Sequence, residues 1–295
     1  MSDQATVLRE LIERRPHVHA QSAVDAETTR ACSVAITSGK GGVGKSNIAL
    51  NVAIAIAEVG PRVCLVDANR GLGNIDLLCR LNGYWNLEHV LTGARSVPEI
   101  CLKGPVGVTV IPGAHCINAG VDCPEAARTD ILRQLDQIER THDFVIIDTA
   151  TGIHRQSCEF VTSADAAVVV TTPEPTSIAD AYALLKSMSS SCGDRIHLLV
   201  NQARSSEQAQ AVAERLAKTS RLFLRAEFAV LEPIPQDFHV CDAVVQRTPF
   251  LIHDPDCAAT RAVRRLARRL VSSPPQPQRS SYFEGVWQRG VSRAA

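Results

Sequence analysis

Residues 38–48 read SGKGGVGKSNI and contain a glycine-rich loop that ends in a lysine and a serine. The stretch fits the pattern GxxxxGKS from Gly39 to Ser46, and it directly follows the apolar run SVAIT at residues 33–37. A helical pattern begins near Gly44, so the loop joins a strand to a helix, which is the context in which such loops bind phosphate groups. We therefore predict a nucleotide-binding P-loop at this point of the chain.

The residue types in the loop predict separate roles toward a nucleotide. Glycines let backbone N–H groups surround the phosphates, a lysine reaches the outer phosphates, and a serine hydroxyl binds Mg²⁺. We assign the last two roles to Lys45 and Ser46. The predicted nucleotide-binding residues of the loop are Gly39, Lys40, Gly41, Gly42, Val43, Gly44, Lys45, Ser46 and Asn47.

Short β-branched runs alternate with helical stretches along the rest of the chain. Strands are predicted at 33–37, 62–67, 108–112, 143–148, 166–171, 196–201 and 227–234, and helices at about 44–59, 124–140, 153–162, 176–190, 205–219 and 256–271. Nearly continuous apolar strands are typical of a parallel sheet that is covered on both faces. The sequence thus predicts an α/β fold, a doubly wound, mostly parallel sheet with helices on both faces.

Composition narrows the classes of function. The 295 residues, 45% of them hydrophobic, suffice for one sizeable core, and 31 basic against 31 acidic residues leave nucleic-acid binding to a local basic patch. The ten cysteines never form CxxC, so we expect reduced, buried thiols rather than disulfides, a metal cluster or an iron–sulfur carrier. The N-terminus lacks the apolar core of a signal peptide, and no run approaches the ~18 apolar residues of a membrane span.

The chain divides into four predicted segments. Residues 1–30 form a polar, helical N-terminal segment with a linker, and residues 31–271 form the nucleotide-binding domain. A proline-rich linker, 272–281, is expected to be extended and to hold the tail, 282–295, at a distance from the core.

The second lysine of the loop carries a family resemblance. KGGVGKS, which begins at Lys40, resembles the deviant Walker A loop of the MinD/ParA ATPases. The resemblance implies ATP and Mg²⁺ as ligands, a homodimer that forms on ATP binding, and a Lys40 that reaches the nucleotide of the partner subunit. From the residues alone, Lys40 is either a solvated charge or a group that acts on a phosphate from elsewhere.

Other site residues follow from the same resemblance. Asp148 ends the strand DFVIID, where it would hold Mg²⁺ through water, and Gly152 would approach the γ-phosphate. Asn201 matches the family's adenine-reading asparagine, although a turn or helix-cap role is the alternative. Pro235 lies in PIPQD, which matches the family's second base-side loop.

One departure from the family pattern follows the second strand. In VDANRG, Asp67 is kept as a metal-site residue, but Asn69 stands where relatives have an aspartate that orients or activates the attacking water. An amide can orient water but cannot accept its proton, so we expect Mg·ATP binding and dimerisation with slow or absent hydrolysis. TATG, which ends at Gly152, is a second, smaller departure. The residues assigned to catalysis are Lys40, Lys45, Asp67, Asn69 and Asp148.

Within this family the chain is most similar to the flagellar-number regulators called FlhG, FleN or YlxH. The stretches that carry this resemblance are GLGNIDLL (71–78), NLEHVLTG (86–93), TTPEPTSIADAYALLK (171–186) and SDQATVLRELI (2–12). In those proteins the N-terminal helix docks onto the GTPase FlhF, which implies partner-binding roles for Asp3, Gln4, Leu8 and Arg9, with Gln4 as the activating residue. The alternative is an ordinary amphipathic helix that packs on the body of the protein.

The tail has an amphipathic pattern. As a helix, it places Tyr282, Phe283, Val286, Trp287 and Val291 on one half of the wheel and arginines on the other. Such a helix suits an anionic membrane surface and resembles the membrane-targeting tail of MinD and FlhG, which implies a cytoplasmic protein at the inner face of the membrane. The alternative is a frayed end that packs its tryptophan on the domain.

The basic run RAVRRLARRL, residues 261–270, could contact DNA phosphates as in ParA-type partition proteins. We favour solvated arginines on a helix whose apolar side packs inward, and expect no nucleic-acid partner. The sequence thus predicts an ATP-dependent, membrane-associating switch of the FlhG type. A DNA partition ATPase and a non-hydrolysing, ATP-bound scaffold remain alternatives.

Overall fold

The computed structural model describes residues 30–69, 74–114, 116–117, 125–276 and 280–291, apart from the side chains of Asn74, Ser190 and Val291. Within these residues an eight-stranded sheet has the order β3-β4-β2-β5-β1-β6-β7-β8. Its strands are β1 (Cys32–Thr37), β2 (Val63–Ala68), β3 (Leu102–Lys103), β4 (Thr109–Ile111), β5 (Phe144–Thr149), β6 (Ala166–Thr171), β7 (Ile196–Val200) and β8 (Ala229–Val230). All neighbours pair in parallel except β3 and β4, which are antiparallel. The predicted doubly wound, mostly parallel sheet is confirmed.

Helices cover both faces of the sheet. They are α1 (Lys45–Glu58), α2 (Asn74–Leu78), α3 (Leu87–Leu91), α4 (Val97–Ile100), α5 (Glu125–Thr141), α6 (Arg155–Ser163), α7 (Pro175–Cys192), α8 (Ser206–Leu224), α9 (Phe238–Val245), α10 (Phe250–His253), α11 (Ala258–Ser272) and α12 (Tyr282–Val291). Along β1, Ala35 points into one apolar cluster with α5 to α8, while Val34 and Ile36 point into a second cluster with α1 and α11. Because both faces are buried, the strands are mostly apolar.

The structure differs from the predicted elements mainly where segments are short. The strand expected at 227–234 is reduced to Ala229–Val230, because Pro233 and Pro235 cannot donate ladder hydrogen bonds. The five helices α2, α3, α4, α9 and α10 are only four to eight residues long, too short to show a helical period. The two-residue strand β3 has no alternating pattern to reveal it.

The C-terminal tail differs from its prediction in position rather than in secondary structure. It is helical, as expected, but α12 packs against α5 and α6 instead of being held away from the domain. Phe283 and Val286 are completely buried and Trp287 is 1% exposed, inside the same apolar cluster as the helices beneath them. Burial of a large apolar side chain stabilises by about 1.5–3 kcal/mol, which explains why the aromatic face turns inward.

A buried carboxylate secures the start of α12. Glu139, at the end of α5, accepts hydrogen bonds from the Ser281 hydroxyl (2.6 Å) and from the backbone N–H groups of Tyr282 (3.2 Å) and Phe283 (3.1 Å). Burial raises the pKa of Glu139, and these donors and Arg30 act in the opposite direction. The first turn of α12 is therefore capped from a different helix, which satisfies backbone donors that would otherwise lack partners.

Candidate functional site

The glycine-rich loop lies between β1 and α1, at the carboxyl edge of the sheet. Gly44 has a φ of 87°, and a Cβ atom there would come within 2.5 Å of the Asn201 side-chain nitrogen, so only glycine fits. The first turn of α1 has no capping side chain and no acidic residue. Its N–H groups and its positive dipole end are therefore available to phosphate oxygens, as predicted from the loop pattern.

Lys45 forms a buried ion pair with Asp148. The two side chains are 3% and 0% exposed, and Asp148 lies beside Asp67 in the β2–β5 register. Burial, followed by the negative charge of Asp148, raises the pKa of Asp67 to about 7. When both buried carboxylates are ionised, the single lysine leaves negative charge that a further cation could neutralise.

These residues fit a Mg²⁺ ion. Asp148 uses one carboxylate oxygen for Lys45, whereas its other oxygen, Oδ2, is buried without a hydrogen-bond partner among the described residues. Asp67 and the hydroxyl-bearing Ser46 belong to the same edge of the sheet, at the end of β2 and the start of α1. Oxygen ligands of this kind, one or two carboxylates with a serine hydroxyl, are those that Mg²⁺ takes at nucleotide sites.

The Lys40 side chain contacts residues outside the glycine-rich loop. Its Nζ atom contacts Glu174 Oε1 at 2.5 Å and donates to the Thr176 hydroxyl at 2.8 Å. Both acceptors come from the segment between β6 and α7, and the side chains of Lys40 and Glu174 are 33% and 56% exposed. The structure therefore places Lys40 at the surface of the same edge, separate from the buried pair of Lys45.

Asn69 reaches this edge immediately after β2. Its backbone N–H donates to Asp67 Oδ1 at 3.0 Å, and the residue is half-buried. Asp67, Asn69 and Asp148 therefore lie together at the ends of two neighbouring strands, as the sequence predicted. The beginning of GLGNIDLL lies outside the described residues.

A cavity of about 360 Å³ lies beside the loop and contains the predicted base-side residues. The Asn201 side chain donates from Nδ2 to the carbonyl of Val43 at 2.8 Å, and Pro235 forms a bridge with Ala203. The residues that line the cavity are Gly42, Gly44, Asn47, Ile48, Asn201, Gln202, Ile234, Pro235, Gln236, Asp237, Val240, Cys241, Val244 and Phe250. A larger, open groove of about 710 Å³ runs between α8 and β8, but it contains no residue of the glycine-rich loop. Of these two cavities, only the smaller one adjoins the glycine-rich loop.

Sequence reasoning missed the contribution of α9 to this cavity. Val240, Cys241 and Val244 line it, and the helix is capped by Asp237, whose carboxylate accepts from the N–H of His239. An Asp before an apolar run is a helix-start signal that could have revealed α9. The nine described cysteines are free thiols, and five of them are buried as expected, whereas Cys79, Cys101 and Cys158 are half-buried and Cys241 is exposed.

The other predicted binding residues are not part of this site. Asp3, Gln4, Leu8 and Arg9 lie outside the described residues. The tail residues Tyr282, Phe283, Val286 and Trp287 face the domain rather than solvent, which corresponds to the alternative of a docked tail. In the part of the chain that the structure describes, no helix is both long and apolar enough to cross a bilayer.

The arginines of α11 are partly used in contacts within the chain. Arg264 forms a two-pronged ion pair with Glu58, and Arg265 pairs with Glu232. The apolar side of α11, including Val263 and Leu270, is buried against the sheet. The helix thus has the packing role that we favoured over DNA contact.

Comparisons with known proteins place the site in context. Residues 31–194 match the family model AAA_31, described as an AAA domain. The chain is 32% identical to the antiactivator FleN of Pseudomonas aeruginosa, over 89% of this chain and 94% of FleN, and 34% identical to the flagellum site-determining protein YlxH of Helicobacter pylori, over 64% of each chain. The septum site-determining protein MinD of Pyrococcus horikoshii, solved as a complex with Mg-ADP, has the same fold at 20% identity, with a TM-score of 0.65 over 84% of this chain and 100% of that one.

Proposed function

We propose that this chain, which belongs to the MinD/ParA family of AAA_31 ATPases, is an ATP-dependent dimerising switch that regulates flagellar number or placement. The observation that carries the proposal is that two lysines at one edge of the sheet differ in burial and in their partners. Lys45 is buried beside Asp67 and Asp148, whereas Lys40 is held at the surface by Glu174 and Thr176. The first arrangement suits a nucleotide in the same subunit, and the second suits a group outside it.

Each residue of the site then has a role toward ATP. The loop and the first turn of α1 bind the phosphates through N–H groups, and the ammonium of Lys45 exchanges Asp148 for phosphate oxygens. Ser46, Asp67 and Asp148 would hold Mg²⁺, which supplies positive charge to the outer phosphates. The base would occupy the cavity between Asn201 and Pro235.

An ATP-dependent homodimer is supported by the surface around the loop. Large apolar side chains are exposed there, and they come from different segments: Ile153 after β5 (56% exposed), Phe238 (69%) and Val245 (79%) on α9, and Leu77 on α2 (48%). Leu77 and Val245 line the same surface cavity, and exposed apolar groups that meet in this way are typical of interaction surfaces. Lys40, on the same edge, would reach the partner's nucleotide.

The flagellar part of the proposal rests on the relatives. FleN is named an antiactivator and YlxH a flagellum site-determining protein. We infer that Asp3, Gln4, Leu8 and Arg9 contact an FlhF-like GTPase, with Gln4 as the activating residue. Replacing Gln4 with alanine should abolish stimulation of GTP hydrolysis while leaving ATP binding unchanged; equal stimulation by both proteins would refute this role.

Membrane association, in this proposal, requires α12 to leave the domain. Its aromatic face is buried in the structure, so it can meet an anionic bilayer only after the contacts with α5 and α6 are broken. The predicted location at the inner face of the membrane therefore belongs to a second state of the protein. Two released tails in one dimer would bind more strongly than one by avidity.

Asn69 favours a second candidate, a scaffold that binds ATP without turning it over. The decisive experiment measures ATP binding, dimer mass and phosphate release for the natural protein, Asn69→Asp and Lys40→Ala, with and without anionic liposomes. The switch predicts ATP-dependent dimers that Lys40→Ala weakens, and turnover that Asn69→Asp raises. ATP binding without any change in mass would refute the dimerising switch. If the natural protein turned over ATP as fast as Asn69→Asp, the amide of Asn69 would have no effect on hydrolysis.

A further inference from the structure

His154 lies beside Gly152, the glycine that the family resemblance assigns to the γ-phosphate. Gly152 has a φ of 89°, and its N–H donates to the carbonyl of Ser38, directly before the glycine-rich loop, at 2.8 Å. A Cβ atom on Gly152 would lie 3.4 Å from Cδ2 and 3.5 Å from Nε2 of His154. The imidazole of His154 therefore lies beside Gly152, with Cδ2 and Nε2 as its nearest atoms.

His154 has no structural task that accounts for this position. It is the residue before α6, but its side chain does not cap the helix. The side chain is exposed, and no described residue forms a hydrogen bond or an ion pair with its ring. Its neighbour Arg155 is, by contrast, paired with Glu159 at 2.9 Å. An imidazole without a protein partner at the mouth of a phosphate site is free to contact a ligand or a water molecule.

The carboxylates of this edge already have partners, since Glu174 is paired with Lys40 and accepts from Thr176. Asp67 and Asp148 are buried with Lys45 and fit the metal ion, and Asn69 offers an amide, which cannot take a proton from water. Neutral imidazole can take that proton at physiological pH. His154 reaches the site from β5 and α6, whereas Asn69 reaches it from β2, so the two side chains approach it from different strands.

We propose that His154 is the proton acceptor for the water that attacks the γ-phosphate, a role that rests on the proposed hydrolysis of ATP. The water oxygen bonds to the γ-phosphorus while one of its protons passes to Nε2 of His154. The bond between the γ-phosphorus and the β,γ-bridging oxygen breaks, and ADP leaves with the electron pair. Inorganic phosphate is the other product, and the imidazolium returns its proton to solvent.

A double-mutant cycle tests this assignment. Phosphate release is measured for the natural protein, His154→Ala, Asn69→Asp and the double variant, with mant-ATP affinity measured in parallel. We expect His154→Ala to lower turnover by about 100-fold or more with affinity unchanged, as for loss of a general base. In the Asn69→Asp background the same change should cost less than roughly threefold, because the new carboxylate takes over.

Two further measurements separate chemistry from structure. Added imidazole should restore turnover of His154→Ala in proportion to its concentration, because the site is exposed. His253→Gln, at another exposed histidine on α10, should leave turnover unchanged. Equal losses in both backgrounds, or no rescue by imidazole, would overturn the assignment.

The outcomes also distinguish this inference from the proposed function. If the natural protein binds ATP and dimerises but releases no phosphate, the role of His154 is refuted while the ATP-bound scaffold stands. If it binds no ATP, the proposed function fails with it.

Discussion

The two ends of β5 each lie beside an almost completely buried carboxylate, but these carboxylates hold different kinds of partner. At the carboxyl end, Asp148 holds the ammonium of Lys45. Near the amino end, Glu139 holds the backbone N–H groups of the first turn of α12. The first partner is a single flexible side chain, which a phosphate group can take over. The second belongs to a helix whose aromatic residues are buried around it.

The difference predicts that the two regions respond to different signals. Exchange at Asp148 requires only a competing anion for Lys45, so a nucleotide can bring it about directly. Release at Glu139 also exposes Phe283 and Trp287 to water, so a competing surface must replace apolar contacts as well. Replacement of Asp148 by another anion at Lys45 and release of α12 from Glu139 are therefore separable steps.

The largest effect expected from this comparison comes from removing the ammonium of Lys45, the partner of Asp148. Lys45→Met should lower ATP affinity at least about 100-fold because the outer phosphates lose their ammonium, a contact worth several kcal/mol. It also leaves Asp148 buried without a counter-charge, which costs about 3–5 kcal/mol. Mant-ATP titration and urea unfolding at neutral pH measure the two effects. Lys103→Met, on the exposed edge strand β3, should change neither.

The second test addresses the apolar half of the comparison. Trp287→Ala should cost about 3–5 kcal/mol of the free energy of unfolding, because a fully buried ring leaves a cavity. Gln288→Ala, on the exposed side of the same helix, should cost under about 0.5 kcal/mol. Similar urea midpoints for the two variants would mean that α12 is not docked in solution.

A third prediction concerns pH at the nucleotide edge. The pKa of Asp67 rises from 3.8 to about 7 in the fold, so the folded, nucleotide-free protein binds the proton that the unfolded chain has already released. This contribution to stability is complete below about pH 4 and decreases, by up to about 1.4 kcal/mol per pH unit, as the pH rises toward 7. Asp67→Asn should show a correspondingly flatter dependence of unfolding free energy on pH over that range. Parallel curves for both proteins would contradict the raised pKa.

The smallest expected effect is at the exposed lysine. Glu174→Gln removes the ion pair of Lys40 but leaves the Thr176 hydroxyl, and it should leave the urea midpoint of unfolding nearly unchanged, because exposed ion pairs contribute little to stability. Because Lys40 becomes easier to detach, ATP-dependent dimerisation should strengthen by a few-fold at most. Glu227→Gln, at an exposed carboxylate that pairs with Arg221 before the start of β8, is the matched control. Weaker dimerisation would show that Glu174 aims Lys40 rather than restrains it.

The sequence could predict that the residues of this edge lie together, because each belongs to a local pattern. Lys45, Asp67 and Asp148 end or begin elements whose apolar periods are clear, and parallel strands bring such ends together at one edge. The restraint of Lys40 could not be predicted, because Glu174 and Thr176 are 134 and 136 residues away along the chain. His154 belongs to no loop pattern and was found only from its position over Gly152.

For the tail, the sequence predicted the secondary structure but not the contacts. Its pattern predicted a helix with an aromatic face, and the structure has that helix. The pattern is silent about what the face contacts, since a bilayer and a groove on a protein both accept the same apolar side chains. Glu139, the residue that fixes the choice, looks like an ordinary charged position of α5, and its burial becomes evident only in the fold.

The burial of Trp287 also means that tryptophan fluorescence can report the position of α12. The chain has two tryptophans, and the other, Trp85, is only partly buried, with Arg95 4.2 Å from its ring centre. Removing Trp85 leaves one indole whose emission reports the polarity around α12. Undocking into water would shift that emission to the red, whereas transfer from the groove to lipid would keep it blue and expose it to quenchers carried by acyl chains. The fold therefore allows the position of the tail to be followed in real time without an added label.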